Sequence, residues 1–187
     1  MVVRCTKKML DLLGSRNVAL SQPAPSDDDW YLNLVWIERQ KCLLLTHSGT
    51  LFSVFRAGVR VGDLRPLGDY VVDAIETELR AEGLPAETFS RLDPNDVRIA
   101  KTASRSTLGF MKEMAFELEW HIAHDGGLER ADVNELNHAL RRTLRSHGRD
   151  YARPIELVHQ HLATRARPTG GSSQEPLLTR SLCASRR

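Results

Sequence analysis

The sequence predicts an α+β fold, in which a small and mainly antiparallel sheet packs against three to four helices. Three observations predict it. The stretch WYLNLVWIERQKCLLLTHSGTLFSVFR contains three apolar, aromatic-rich runs separated by ERQK and THSG, two polar breaks of hairpin length. That is the pattern of a three-stranded antiparallel meander. Two other short runs, VVRCT and VRIAKT, supply one or two further strands. From Pro66 onward the apolar period lengthens to the helical value of about 3.6 residues.

Taken in order, VVRCT reads as a strand, and KKMLDLLG as a short helix with Met9, Leu12 and Leu13 on one face and Gly14 placed to end it. SQPAPSDDD is a loop by its Pro and Asp content, with Asp27, Asp28 and Asp29 read as solvated acids. In the meander, CLLL is apolar at every position and is expected to be covered on both faces. Trp30, Tyr31, Trp36, Phe52 and Phe55 are expected in the core. Leu67, Tyr70, Val71, Ala74, Ile75 and Leu79 then mark a helix from Pro66 to Glu82, capped by Gly83. Pro85 to Leu92 admits a short helix, and Asp93-Pro94-Asn95 is a turn. Leu108, Met111, Ala115, Leu118 and Ile122 define the next helix, which Gly126-Gly127 ends. In the helix after it, Val133, Leu136, Leu140 and Leu144 are expected inside, with Arg141, Arg142 and Arg145 outside. YARPIELVHQHL closes the body of the domain.

Residues 1–163 are read as one globular domain, and residues 164–187, rich in Gly, Ser, Pro and Arg, as a disordered basic tail. That tail carries five arginines and one glutamate, so of the net charge of +2 the body holds −2, and bulk charge gives no argument for nucleic-acid binding. Cys5, Cys42 and Cys183 show no Cys-x-x-Cys spacing, which points to a reducing compartment. The start, MVVRCTKK, has no apolar segment of signal-peptide length, and no run approaches the roughly 18 apolar residues of a membrane span. A cytoplasmic protein without a membrane partner is expected.

The richest chemistry lies in KTASRSTLGFMKEM. A strand ending at Lys101 and a helix starting near Ser106 leave unpaired backbone N–H groups at a positive helix end. Lys101, Ser104, Arg105 and Ser106 add donors complementary to a phosphate or carboxylate, and Gly109 would let a ligand or a neighbouring strand approach the backbone. The structural alternative is an ordinary cap from Ser104 or Ser106, worth about 1 kcal/mol, with Arg105 paired to an acid. The P-loop spacing is absent. Arg141, Arg142, Arg145 and Arg149 form a basic stripe with the spacing to meet nucleic-acid phosphates, or else a solvated helix face. His121 and His124, three apart on a helix, lack a third metal ligand, and His159 and His161 suit a metal only in an extended segment. No metal, cofactor or catalytic motif is assigned.

CTKKMLDLL, WYLNLVWIERQKCLLLTHSGTLFSVF and KTASRSTLG, three motifs in this order, resemble a family of small bacterial proteins called domain of unknown function six-nine-three-three, over roughly residues 2 to 160. The resemblance implies that Arg105, Ser106, Leu108 and Gly109 match a family motif Arg-Ser-x-Leu-Gly, which in relatives continues Ser-Met-Asn-Asp. Here Phe110, Met111, Lys112 and Glu113 follow, and no catalytic residue is implied. The leading expectation is a non-enzymatic binding or regulatory domain with an anion site at residues 101–109 for a phosphate, nucleotide or nucleic acid. The alternatives are an enzyme acting on a phosphorylated or nucleic-acid substrate, and a partner scaffold in which Arg105 is structural.

Overall fold

The meander forms as its pattern predicts. β2 (Trp30–Ile37) pairs antiparallel with β3 (Gln40–His47), from Trp30 opposite His47 to Ile37 opposite Gln40, and β3 pairs antiparallel with β4 (Ser53–Arg56). Glu38 and Arg39, both at positive φ, make the two-residue turn whose twist suits a hairpin. The structure is a computed structural model that describes residues 1–14, 20, 22–147 and 150–166.

The sheet is larger than the expected one, and it is mixed. β1 (Val2–Cys5) lies parallel to β2 on one side and to β5 (Arg98–Lys101) on the other, giving the order β4-β3-β2-β1-β5. Parallel neighbours need crossover connections, and the chain supplies them through α1 (Lys7–Leu12) and α2 (Leu67–Ala81). A separate two-stranded sheet joins β6 (Arg145–His147) to β7 (Asp150–Ala152).

Strand alternation divides the core in two. Val3, Trp30, Leu32, Leu34, Leu43, Leu45 and Val54 face α2 and Val158 of α5 (Pro154–Arg165), whereas Tyr31, Val35, Ile37, Cys42, Leu44 and Phe55 face α3 (Arg105–His124) and α4 (Val133–Arg142). CLLL is accordingly buried throughout, and Cys5 and Cys42 are free thiols on opposite sides of the sheet. Among the described residues the helices number five, because the closing segment folds as α5. This helix runs to Arg165, past the expected tail boundary, and Arg165 Nη1 donates to the Thr88 carbonyl at 3.3 Å. Residues 167–187 lie outside the described residues.

Other expectations are corrected by the packing. Pro85 to Leu92 makes tight turns, with Ser90 at positive φ, and no helix. Leu144 lies beyond the end of α4 and is 55% exposed, and Trp36 at 50% exposure holds Lys41 against its ring. Asp29 is buried because Arg4, itself fully buried, donates from Nε to Asp29 Oδ2 at 2.5 Å. The remaining donors of Arg4 reach the carbonyls of Pro23, Ala24 and Lys101, fastening the acidic loop and the end of β5 to β1.

At the other side of the sheet, α4 covers the free edge of β4. Asn137 Oδ1 accepts from the Phe55 N–H at 2.6 Å, and its Nδ2 donates to the Phe55 carbonyl at 3.0 Å and to Glu78. Arg141 Nη1 donates to the Ser53 carbonyl at 3.2 Å.

Candidate functional site

The α3 terminus follows β5 after three extended residues. Ser104 is its N-cap: Oγ accepts from the Thr107 N–H at 3.2 Å, and its own N–H donates to the Tyr31 hydroxyl at 3.1 Å. The cap is thus docked on the sheet as well as on its helix. Ser106 Oγ lies 3.0 Å from Ser104 Oγ, and Thr107 Oγ1 lies 3.3 Å from Ser48 Oγ in the β3–β4 turn. The N–H groups of Arg105 and Ser106 have no partner among the described residues, as the first amides of a helix do not.

Over this terminus opens a cavity of about 400 Å³, whose polar lining is Asp27, Ser48, Ser104, Ser106, Thr107 and Ser146. Five hydroxyl-bearing residues and one acidic residue therefore border it, beside the positive end of a 20-residue helix. The sequence-predicted residues fall into three groups. Ser104 and Ser106 line the cavity. Lys101 and Arg105 flank it without lining it; both are exposed, with no ion pair among the described residues, so the expected alternative of a structurally paired Arg105 is overturned. Gly109 is exposed, and nothing lies within 4 Å of where a side chain would begin, so no neighbouring strand approaches it.

The arginine stripe does not exist as a free cationic face. Arg141 is buried, bonded to Glu78 at 2.9 Å and Glu82 at 2.8 Å, and Arg142 reaches Glu82 at 2.7 Å. Burial pushes the Glu82 carboxyl up, but the bonds from Arg142 and Arg141 and their charges hold it below the ordinary carboxylate value. Arg145 is ion-paired with Glu117, and Arg149 lies outside the described residues. A polar helix face viewed in sequence alone cannot show that the acids answering it come from α2 and α3.

His121 and His124 flank Trp120, which stacks on His124 at 5.5 Å between centroids, and the described residues hold no group of three His, Cys, Asp or Glu placed for a metal. His159 and His161 lie on the helix α5, where alternate residues point to different sides, and not on an extended segment.

The contributions of Ser48 and Ser146 escaped sequence reasoning, since single serines in a turn and a short strand carry no spacing signal. Asp27 was legible only as one of three loop acids. Its place is set by Gly49, whose N–H donates to the Asp27 carbonyl at 2.8 Å and whose missing side chain leaves room for Asp27 to pack against it.

A mixed five-stranded sheet covered on both faces, with a hydroxyl-lined recess at one end, defines an α+β domain with a polar, ligand-sized cavity at a helix start. A family model described as Domain of unknown function (DUF6933) matches residues 2–157, and the chain belongs to that family. No curated protein matches the chain. No helix of the described residues is long and apolar enough to cross a membrane.

Proposed function

We propose that this is a binding domain, not a catalyst, that holds a small phosphorylated ligand at the start of α3. The observation that carries the reading is the pairing of the hydroxyl-lined cavity with two exposed cations, Lys101 and Arg105, that have no ion pair among the described residues. The phosphoryl group takes the free amides of Arg105 and Ser106 and the hydroxyls of Ser104 and Ser106, with Arg105 and Lys101 as charge-assisted donors. The ion-paired state of Arg141, Arg142 and Arg145 favours a small ligand over a nucleic-acid strand, which needs several free cations to displace counterions.

Inorganic phosphate tests the reading directly. A ligand that binds only the folded state at a hundred times its Kd adds about 2.7 kcal/mol of stability, so phosphate raises the melting temperature of the parent protein. Arg105→Ala abolishes that rise while melting like the parent in buffer, because Arg105 is exposed and in no ion pair among the described residues. An equal rise in Arg105→Ala, or none in the parent, overturns the proposal.

A further inference from the structure

Asp27 and Gly49 border two cavities. The first is the hydroxyl-lined recess at α3; the second, of about 250 Å³, lies on the α5 side and is lined by Asp27, Asp28, Thr50, Gln160 and His161 among others. The loop before β2 and the β3–β4 turn, joined by the Gly49–Asp27 bond and by the Ser48 N–H donating to the Asp29 carbonyl at 2.8 Å, make the ridge between them.

His161, on the wall of the second cavity, carries a polar atom without a partner among the described residues. The atom is His161 Nε2, sealed from bulk solvent. Its ring is held by aromatic neighbours, Phe89 at 6.0 Å and His47 at 5.9 Å between centroids. His47 is accounted for, since its Nδ1 lies 3.0 Å from Thr50 Oγ1. In either tautomer an imidazole nitrogen needs a partner, and leaving it bare in a buried place costs free energy. Two carboxylates, Asp27 and Asp28, share the same rim, and neither is in an ion pair among the described residues. Carboxylates accept paired O–H donors, and His161 Nε2 either accepts a third or donates to a ring oxygen. Asp28, which borders this cavity and not the first, repels a second phosphoryl group.

We propose that the cavity at His161 is a second subsite of the phosphate site, taking the hydroxyls of a sugar whose single phosphoryl group lies at the start of α3. The ligand class is a sugar monophosphate, free or as a nucleoside monophosphate. This rests on the binding reading above and deepens it: the α3 side supplies attraction for charge, and the ridge and α5 side supply the choice of what carries the charge.

Calorimetric titration of the full chain with inorganic phosphate, ribose 5-phosphate, adenosine monophosphate and ribose 1,5-bisphosphate tests it. Ribose 5-phosphate binds at least tenfold tighter than phosphate, and the bisphosphate binds more weakly than the monophosphate. His161→Phe, which keeps the aromatic contacts, and Asp28→Asn, whose side chain has no bond among the described residues and does not line the first cavity, both bring ribose 5-phosphate back to the affinity of phosphate and leave phosphate itself unchanged. A tenfold gain with the nucleotide but not with free ribose 5-phosphate places the determinant in the base and overturns the sugar subsite. An advantage that survives in both variants, or a bisphosphate that binds tighter, also overturns it. Phosphate binding that depends on Arg105 without any gain from the sugar sinks this inference alone, whereas failure of every probe to bind sinks the phosphate site with it.

Discussion

Arg4 and Asp29 meet with both side chains shut away from solvent, Nε to Oδ2 at 2.5 Å, and through this contact the loop that carries Asp27 is tied to the first strand. Together with the bonds from Arg4 to the Pro23 and Ala24 carbonyls and from Ser48 and Gly49 to the loop backbone, the ion pair positions the ridge as well as stabilising the fold. Arg4→Met leaves a buried, unpaired carboxylate and is expected to cost about 3–5 kcal/mol. Arg4→Met with Asp29→Leu recovers at least half of that in urea unfolding, since no lone charge remains. A double variant no more stable than Arg4→Met would show that the carbonyl contacts of Arg4, not its charge partner, hold the loop.

His47 gives the protein an acid limb. Burial, followed by the charge of His161, lowers its pKa from 6.5 to about 3. The unfolded chain takes up this proton near its ordinary value and the folded chain does not. Stability is therefore full above pH 6.5 and falls as pH drops from 6.5 toward 3, by at most about 1.4 kcal/mol per pH unit from this group. His47→Leu flattens that limb in melts taken between pH 7 and 4. His161, whose charge acts on His47, borders the same cavity, so His161→Phe is melted alongside as the comparison.

Two glycines respond oppositely to the same substitution. Gly109 stands in the interior of α3 with open space around it, so Gly109→Ala raises stability by up to about 1 kcal/mol. Gly49→Ala places its new carbon 2.9 Å from both Cβ and the carbonyl oxygen of Asp27, forcing the loop outward at about 1–3 kcal/mol. Thermal unfolding ranks them. Phosphate binding that survives Gly109→Ala unchanged shows that the ligand does not touch the helix backbone at this position.

Arg141 is answered by two glutamates, Glu78 and Glu82. Arg141→Leu leaves Glu78 without its cation and is expected to unfold at a urea midpoint lowered by about 3–5 kcal/mol of stability. Adding Glu78→Gln restores part of the loss. If it restores none, the bond from Arg141 to the Ser53 carbonyl is the larger share of its contribution.

What could be read from the chain follows from how far each signal reaches. The meander was legible because its alternation and its two polar breaks are local, and the helices at α2, α3 and α4 because their apolar steps recur within a few turns. The parallel placement of β1 was not, since nothing within VVRCT records that its partners begin at Trp30 and Arg98. At the site, Ser104 and Ser106 were visible as a helix start, whereas Ser48, Ser146 and His161 arrive from a turn, a short strand and the last helix. Arg141 was misjudged for the same reason. Its helical position marks it as polar, and only the fold brings Glu78 and Glu82 to it.

The amide of Asn137, bound to both backbone groups of Phe55, imitates a neighbouring strand one residue long. It ends the sheet at β4 as a stop placed on a template, taking the backbone groups of Phe55 that another strand would need. The opposite border, β5, carries Arg98 and Lys101 exposed, and two such borders brought together would meet like charge with like. One side of the sheet is thus closed by a bond and the other bordered by exposed cations, the two devices that disfavour pairing between the edges of separate sheets.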